Sequence, residues 1–236
     1  AELLLDSDDH ADRACPSWLG SWNSPNVFGT TDGGEPFGTM LSDAKGGGAA
    51  GRSFADGFEH AGSLFAPRSK LSNVEDYERK FPLQYLCRSQ LPDSAGAGPP
   101  VAAPAAGAGR YRGGTSLVSV ITPHRAGDVE AIVSTFGADQ SPAPGIAGGY
   151  PGGGAQTSVA DAAEADAMID DVTAFHDLDS VTHHPPKATV DLAADEAMVC
   201  IAPGGGGHGD PLARDVEAVE RDVRTGRVSP GEAERV

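Results

Sequence analysis

Basic residues are scarce in this sequence: 17 lysines and arginines stand against 34 aspartates and glutamates, a formal net charge of -17. So acidic a surface repels phosphate backbones and anionic lipid, which argues against nucleic acid and membrane surfaces as partners. Long hydrophobic runs are missing as well, none approaching the ~18 residues a membrane span needs. Cysteine occurs three times, at Cys15, Cys87 and Cys200. An odd number of distant thiols with no CxxC pair does not resemble a disulfide framework and favours a reducing compartment. Residues 1–12 are acidic and carry neither the basic flank nor the long apolar stretch of a signal peptide, so the expected localisation is cytoplasmic. Aromatic residues amount to only 6%, leaving few large anchors for a core.

Glycine and proline are abundant instead, 32 and 18 among 236 residues. That load without a Gly-X-Y period excludes collagen and predicts a loop-rich fold of one domain or two small ones. The expected class is α+β, rich in short strands and Gly/Pro loops, with helices near the C-terminus. Short strands or turns are expected at residues 18–20, 26–29 and 37–41, and a flexible loop at 45–51. Residues 83–91 alternate as a strand should. The β-branched runs 117–122 and 131–136, separated by a charged turn around Gly127-Asp128, suggest a hairpin. Met198 to Ile201 reads as a buried strand and the Ala-rich stretch 159–172 as a surface helix. Asp215 caps a helix with Val216, Val219 and Val223 on one face and Gly226 ending it. Ser229-Pro230-Gly231-Glu232 is a capping box for a further helix, with only four residues left before Val236.

Residues 99–106, built of Pro, Val and Ala, lie between two copies of Ala-Gly-Ala-Gly, at 95–98 and 106–109. A repeated junction around a low-complexity filler reads as an insertion into a surface loop, which chain entropy penalises weakly.

Catalytic signatures are sparse. Two stretches fit G-x-G-x-x-G, at Gly46/Gly48/Gly51 and Gly204/Gly206/Gly209. Neither sits between a clear strand and a long helix, so neither supports dinucleotide binding. The sequence has no Walker lysine, no G-x-S-x-G elbow and no H-E-x-x-H. His183 and His184 are adjacent, which points their side chains apart, and no metal ligands are assigned. Gly204 to Gly207 are four consecutive glycines ahead of His208. Their entropic cost calls for close backbone approach, to a ligand or to another chain. Gly109-Arg110-Tyr111-Arg112-Gly113-Gly114 sets two arginine forks around a tyrosine, suited to a carboxylate or phosphate and equally to pairing with the chain's own acids.

In order along the chain, Asn26-Val27-Phe28-Gly29-Thr30-Thr31-Asp32, Phe54-Ala55-Asp56-Gly57, Ser72-Asn73-Val74-Glu75, Glu78, Phe81-Pro82-Leu83, Arg88, Asp93-Ser94 and residues 109–114 are similar to the B-type subunit of hydantoinases and 5-oxoprolinases. The likeness continues through residues 145–152, Pro186-Lys187, residues 203–211 and the helix after Asp215, and so spans nearly the whole chain. The family pattern Asp-Ser-Gly-Gly-x-Gly-Arg/Lys-aromatic-Arg-Gly-Gly is interrupted here. Ala95 replaces a glycine, and Arg110 lies 17 residues after Asp93 instead of 6, so eleven residues are extra.

The resemblance implies that residues 1–236 form the C-terminal half of a B-type subunit, with 99–109 as the insertion. The family's N-terminal half, with its His/Asp metal motif, is then a separate partner. It further implies a hetero-oligomer with an A-type ATPase subunit of actin-like fold. ATP and a divalent metal are expected on those partners, with no cofactor bound by this chain and no activity of this chain alone. Two reactions follow, ATP-driven opening of a cyclic amide or ATP-driven carboxylation of a ketone such as acetone or acetophenone, both through a phosphorylated substrate oxygen. A third reading is a non-catalytic structural subunit. Substrate or interface candidates are Arg110, Arg112, Gly148, Gly149, Gly205, Gly206 and His208; catalytic residues are unassigned.

Removing residues 95–105 or 99–109 yields the same shortened chain, because the flanking Ala-Gly-Ala-Gly copies are identical. This deletion is expected to leave assembly and turnover near normal, judged by size-exclusion chromatography and ATP-dependent assay. Loss of both would assign the extra residues a role.

Overall fold

The computed structural model describes residues 25–41, 46–59, 73–94, 107–138, 140–170 and 178–234. The expected strand at 18–20, most of the 99–109 insertion and residues 171–172 of the expected surface helix lie outside them. Among the described residues, nine strands form two antiparallel sheets. The first contains β1 (Asn26–Thr31), β2 (Pro36–Met40), β5 (Ala126–Ser134) and β8 (Lys187–Leu192), in the order β2-β1-β5-β8. The second contains β3 (Leu83–Leu91), β4 (Ser116–Pro123), β6 (Gln156–Asp161), β7 (Thr182–His183) and β9 (Glu196–Ile201), in the order β3-β4-β9-β6-β7. Short helices complete the fold: α1 (Val74–Lys80), α2 (Ala162–Ala167), α3 (Val216–Arg224) and α4 (Pro230–Ala233). The class is α+β, as expected.

Packing follows from side-chain alternation. β5 buries Val129, Ala131 and Val133 and exposes Glu130 and Ile132, so it belongs to a sheet with one wet face. Those residues, with Val27, Val190 and Leu192, meet Leu83, Tyr85, Ile121, Met198 and Cys200 of the five-stranded sheet in one core. The opposite face of that sheet carries Val118, Val120, Ala160, Val199 and Ile201, covered by Ala165 of α2 and by Leu178. β4 is therefore buried at every position, and β9 at all but its first.

This difference breaks the expected hairpin. β4 pairs with β3 and β9, whereas β5 pairs with β1 and β8. The two strands therefore lie in different layers, and the short connection between them crosses from one sheet to the other. The chain changes sheet through Arg125, which adopts a positive φ of 54°. The surface helix expected over 159–172 is also shorter. Val159 to Asp161 end β6, and Asp161 then caps α2 by accepting from the N–H groups of Ala163 and Glu164 at 2.9 and 3.0 Å.

The stretch expected as a loop at 45–51 is, from residue 46 onward, buried against three other glycine-bearing segments. Residues 203–208 run through their middle. Gly48 N–H donates to Pro203 O and Gly51 N–H to Gly206 O; Gly204 and Gly207 N–H donate to Gly153 O and Tyr150 O. Gly205 N–H reaches Gly114 O, and His208 exchanges both backbone bonds with Tyr111. Successive residues thus address three neighbours in rotation, returning to each after three positions. That is the repeat of a polyproline II-type helix, whose backbone groups all point outward for lack of internal bonds.

A buried segment of this kind needs partners for its N–H and C=O groups, and neighbouring segments of the same chain supply most of them, Ile146 N–H adding a bond to Gly207 O. The spacing leaves no room for side chains. A Cβ on Gly205 would stand 2.0 Å from Ala49 O, and one on Gly113 1.9 Å from Gly205 O. Both obstacles are backbone, which cannot swing aside. Gly113→Ala is therefore expected to cost at least ~3 kcal/mol or to abolish the cooperative transition in thermal unfolding. Gly231→Ala, whose Cβ meets nothing within 4 Å, is expected to stay within ~0.5 kcal/mol of the parent.

Candidate functional site

The site is built where the arginine-bearing segment, the 56–59 loop and α3 converge. Arg112, one of the two arginines singled out above, is buried. Its Nε lies 3.1 Å from Asp222 Oδ2 and its Nη2 2.9 Å from Glu59 Oε1, while Nη1 donates to Gly113 O at 2.6 Å. Arg214 grips Asp56 with both Nη atoms, at 2.7 and 2.9 Å, and reaches Asp222 Oδ2 at 2.6 Å. Arg227 Nε adds a bond to Glu59 Oε1 at 2.8 Å. Glu59 Oε2 accepts from the N–H and hydroxyl of Thr115 at 2.6 and 2.8 Å, and Asp56 Oδ1 from the N–H of Arg112 at 2.8 Å. Three guanidinia thus meet three carboxylates.

Local sequence chemistry places these groups. Asp215 accepts from Glu217 N–H at 3.1 Å and starts α3, which carries Asp222 inward on its second turn. Gly226 ends the helix at a φ of 69°. Ser229 then caps α4 through Glu232 N–H at 3.2 Å. Asp93, at a φ of 65°, donates its N–H to Arg227 O and accepts from Ser229 N–H at 2.6 Å, anchoring this tail to the end of β3.

Electrostatics follow the geometry. Burial pushes the Asp56 carboxyl up, but the hydrogen bonds and charge of Arg214, with Arg112 behind, outweigh it and hold the group below its ordinary range. Glu59 is held low in the same way, by Arg112 and Thr115 against burial. Burial alone would lower Arg112, and the carboxylates of Glu59 and Asp222 raise it instead.

The other sequence-marked residues fall around this cluster. Gly205 and Gly206 sit inside the glycine bundle, and a Cβ on Gly149 would meet Gly207 O at 2.3 Å. Gly148 turns the chain at a φ of 96° beside Asp210. His208 is buried with its ring 6.4 Å from that of Tyr111. The glycine run therefore packs against segments of its own chain. Arg110 remains exposed, its guanidinium 5.6 Å from the Tyr111 ring, and lines a cleft of about 640 Å³. Among the described residues no group of three His, Cys, Asp or Glu side chains is placed to hold a metal ion, and no helix is long and apolar enough to cross a membrane. Sequence reasoning did not find Glu59, Asp222, Arg214 or Arg227 as partners, since nothing local marks which acid meets which arginine.

The sequence matches the family model described as Hydantoinase B/oxoprolinase over residues 5–211. The chain belongs to the hydantoinase B/oxoprolinase family. It is 28% identical over 196 residues to the acetone carboxylase alpha subunit of Xanthobacter autotrophicus (strain ATCC BAA-1158 / Py2), covering 73% of this chain and 23% of that protein. Two solved structures share the fold, each with a TM-score of 0.71. One is nucleotide-free acetone carboxylase, at 22% identity, covering 92% of this chain and 30% of the other. The second is the ATP-dependent caprolactamase from Pseudomonas jessenii, at 20% identity, covering 96% and 36%. This member of the family therefore spans about a quarter of the curated relative it matches.

Asp222→Ala leaves Arg112 and Arg214 facing one another in a buried setting and is expected to cost ~3–5 kcal/mol in chemical denaturation. Acid titration gives a second check. Asp56 and Glu59 have folded pKa values below their ordinary 3.8 and 4.5, so their stabilisation is complete above those values and lost as pH falls below them. The thermal midpoint of the parent should drop below about pH 4.5, and Asp56→Asn should drop less steeply over the same range.

Proposed function

We propose that this chain is the scaffold portion of a B-type subunit in an ATP-dependent enzyme complex. One observation carries the reading: the arginine fork suited to an anion is occupied by carboxylates of the same chain, Asp222 and Glu59, and the glycines are occupied by its own backbone. Such groups hold a shape and leave the bond-making chemistry to others. ATP and a divalent metal then belong to partners, an A-type ATPase and an N-terminal B-type half. The ATPase phosphorylates an oxygen of the substrate, and the B-type assembly completes the reaction.

The first reading of that reaction is cyclic-amide opening, supported by the family description and the fold shared with caprolactamase. The second is ketone carboxylation, favoured by the 28% identity to acetone carboxylase alpha.

The complex purified after co-expression with both partners is expected to couple ATP cleavage to opening of 5-oxoproline, hydantoin or caprolactam. ATP cleavage that instead requires acetone or acetophenone with bicarbonate establishes the second reading. No substrate-dependent ATP cleavage with either set overturns both. For the scaffold role, Arg112→Ala is expected to reduce assembly, with the fraction that does assemble turning over at the parent rate. Loss of turnover in an intact complex would place Arg112 in the chemistry.

A further inference from the structure

Basic side chains are scarce in this chain, yet four of them meet at the far end of β4 from Arg112. Arg79, Lys80, His124 and Arg125 line one cleft of about 490 Å³, a size ordinary for small-molecule sites. Its walls are the end of α1 with the turn into β3, residues 31–32 at the end of β1, and the turn from β4 to β5. The eight residues of β4 set this cleft about 25 Å from the glycine bundle and its charge cluster.

Backbone bonds tie the walls together. His124 N–H donates to Pro82 O at 2.9 Å, and Asp32 N–H to Arg125 O at 3.0 Å. Glu78 Oε1 accepts from Tyr85 N–H at 2.9 Å, holding the end of α1 against β3. The charges therefore sit on a preformed frame. Among the described residues Arg79, Lys80 and Arg125 form no ion pair, whereas Arg112, Arg214 and Arg227 are all paired. The described acids lining the cleft are Asp32 and Glu78, so three fixed positive charges meet two negative ones in a protein of net charge -17. The cleft at Arg110 is a weaker candidate for an anion. There Asp56, Asp215 and Glu217 match Arg110, Arg214 and Arg221 one for one, and Arg214 is already bound to Asp56 and Asp222.

Arg125 adds an independent observation. Its φ of 54° lies in the left-handed region, where a side chain is strained and glycine is not. A turn that needed only this backbone shape would be better served by glycine, so the arginine side chain has a use that offsets the strain. Arg79 and Lys80 also complement the C-terminal end of α1, which accounts for neither His124 nor Arg125.

We infer that this cleft binds the phosphate group of a small ligand. Arginine forks and a lysine ammonium suit phosphate oxygens, and the His124 ring adds an N–H donor. Cations from two separate segments can address oxygens that point in different directions, as a tetrahedral dianion presents them and a planar carboxylate does not. Phe81 and Pro82, both half-buried, give the cleft an apolar stretch for the remainder of the ligand. This site goes beyond the proposed function and is independent of it.

The test titrates the full chain with inorganic phosphate, pyrophosphate and ADP by calorimetry, with malonate as the carboxylate control. Pyrophosphate is expected to bind with a Kd below about 1 mM, and malonate about tenfold or more weakly. ADP tighter than pyrophosphate identifies a nucleotide as the source of the phosphate, and ADP no tighter identifies a free phosphate; either result supports the site. Arg79→Gln with Lys80→Gln, and separately Arg125→Gly, should each raise Kd by about tenfold or more. Arg125→Gly also separates binding from structure, because relief of the positive φ keeps its thermal midpoint near the parent's while affinity falls. A purely structural Arg125 would instead lower the midpoint and leave affinity unchanged, which overturns its role here. Where a variant fails to fold, amide exchange on the parent decides, with slowing by pyrophosphate expected at residues 79–84 and 124–126. Unchanged exchange there, no binding of any of the three phosphates below about 10 mM, malonate as tight as pyrophosphate, or parent-like affinity in both variants overturns the site and leaves the proposed function standing.

Discussion

Asp222 is the point on which the arrangement of the C-terminal third turns. A carboxylate buried on a short helix is unfavourable by itself, and it is tolerable here because guanidinia approach it from two sides. Arg112 comes from the segment leading into β4, and Arg214 from the turn ahead of α3. Each arginine has a second acid, Glu59 for one and Asp56 for the other, and Arg227 on Glu59 brings the group to three charges of each sign. Three stretches far apart in sequence, the 56–59 loop, the segment at Arg112 and residues 214–222, are thereby fixed to one another, and charge sets which face of α3 carries its buried residue.

The same group secures the edge of the glycine bundle. Arg112 and Gly113 are consecutive, so the guanidinium that holds Asp222 and the backbone that abuts Gly205 move together. The bundle in turn continues directly from the sandwich: residues 202–208 extend β9, and residues 112–115 lead into β4. Two central strands, neighbours in the sheet, prolong into segments that exchange the sheet ladder for hydrogen bonds in three directions. Side chains build the core on the sheet side of this boundary, and bare backbone builds it on the other. A chain with few aromatics gains a second packed region in this way without large side chains.

Much of this was legible in the sequence, and the limits have physical causes. Strands at 83–91, 117–122 and 198–201 follow from alternation and β-branching, and the apolar piece at 26–29, expected as a short strand or turn, is part of a strand. The caps at Asp215 and Ser229 follow from local hydrogen-bond chemistry that a few residues specify. The hairpin expectation failed because β4 pairs with β3 and β9 and β5 with β1 and β8, partners brought together by the whole assembly and not by the short connection between the two strands. Arg112 was recognisable as a fork for a carboxylate, yet its partner Asp222 is 110 residues away among 34 acids, and nothing local distinguishes it. The glycine run announced close approach, and the approaching surface proved to be this chain's own backbone. Short runs of glycine carry no pattern of side chains from which their neighbours are readable.

The rotation of contacts along residues 203–208 has a consequence for how this region tolerates change in length. Each residue faces one of three neighbours, and the identity of the neighbour repeats every third position. One residue added within the run would turn everything beyond it by a third of a revolution, exchanging all three sets of partners at once. Only additions or losses in threes preserve the pairing, so the segment has a reading frame of its own, written in backbone geometry.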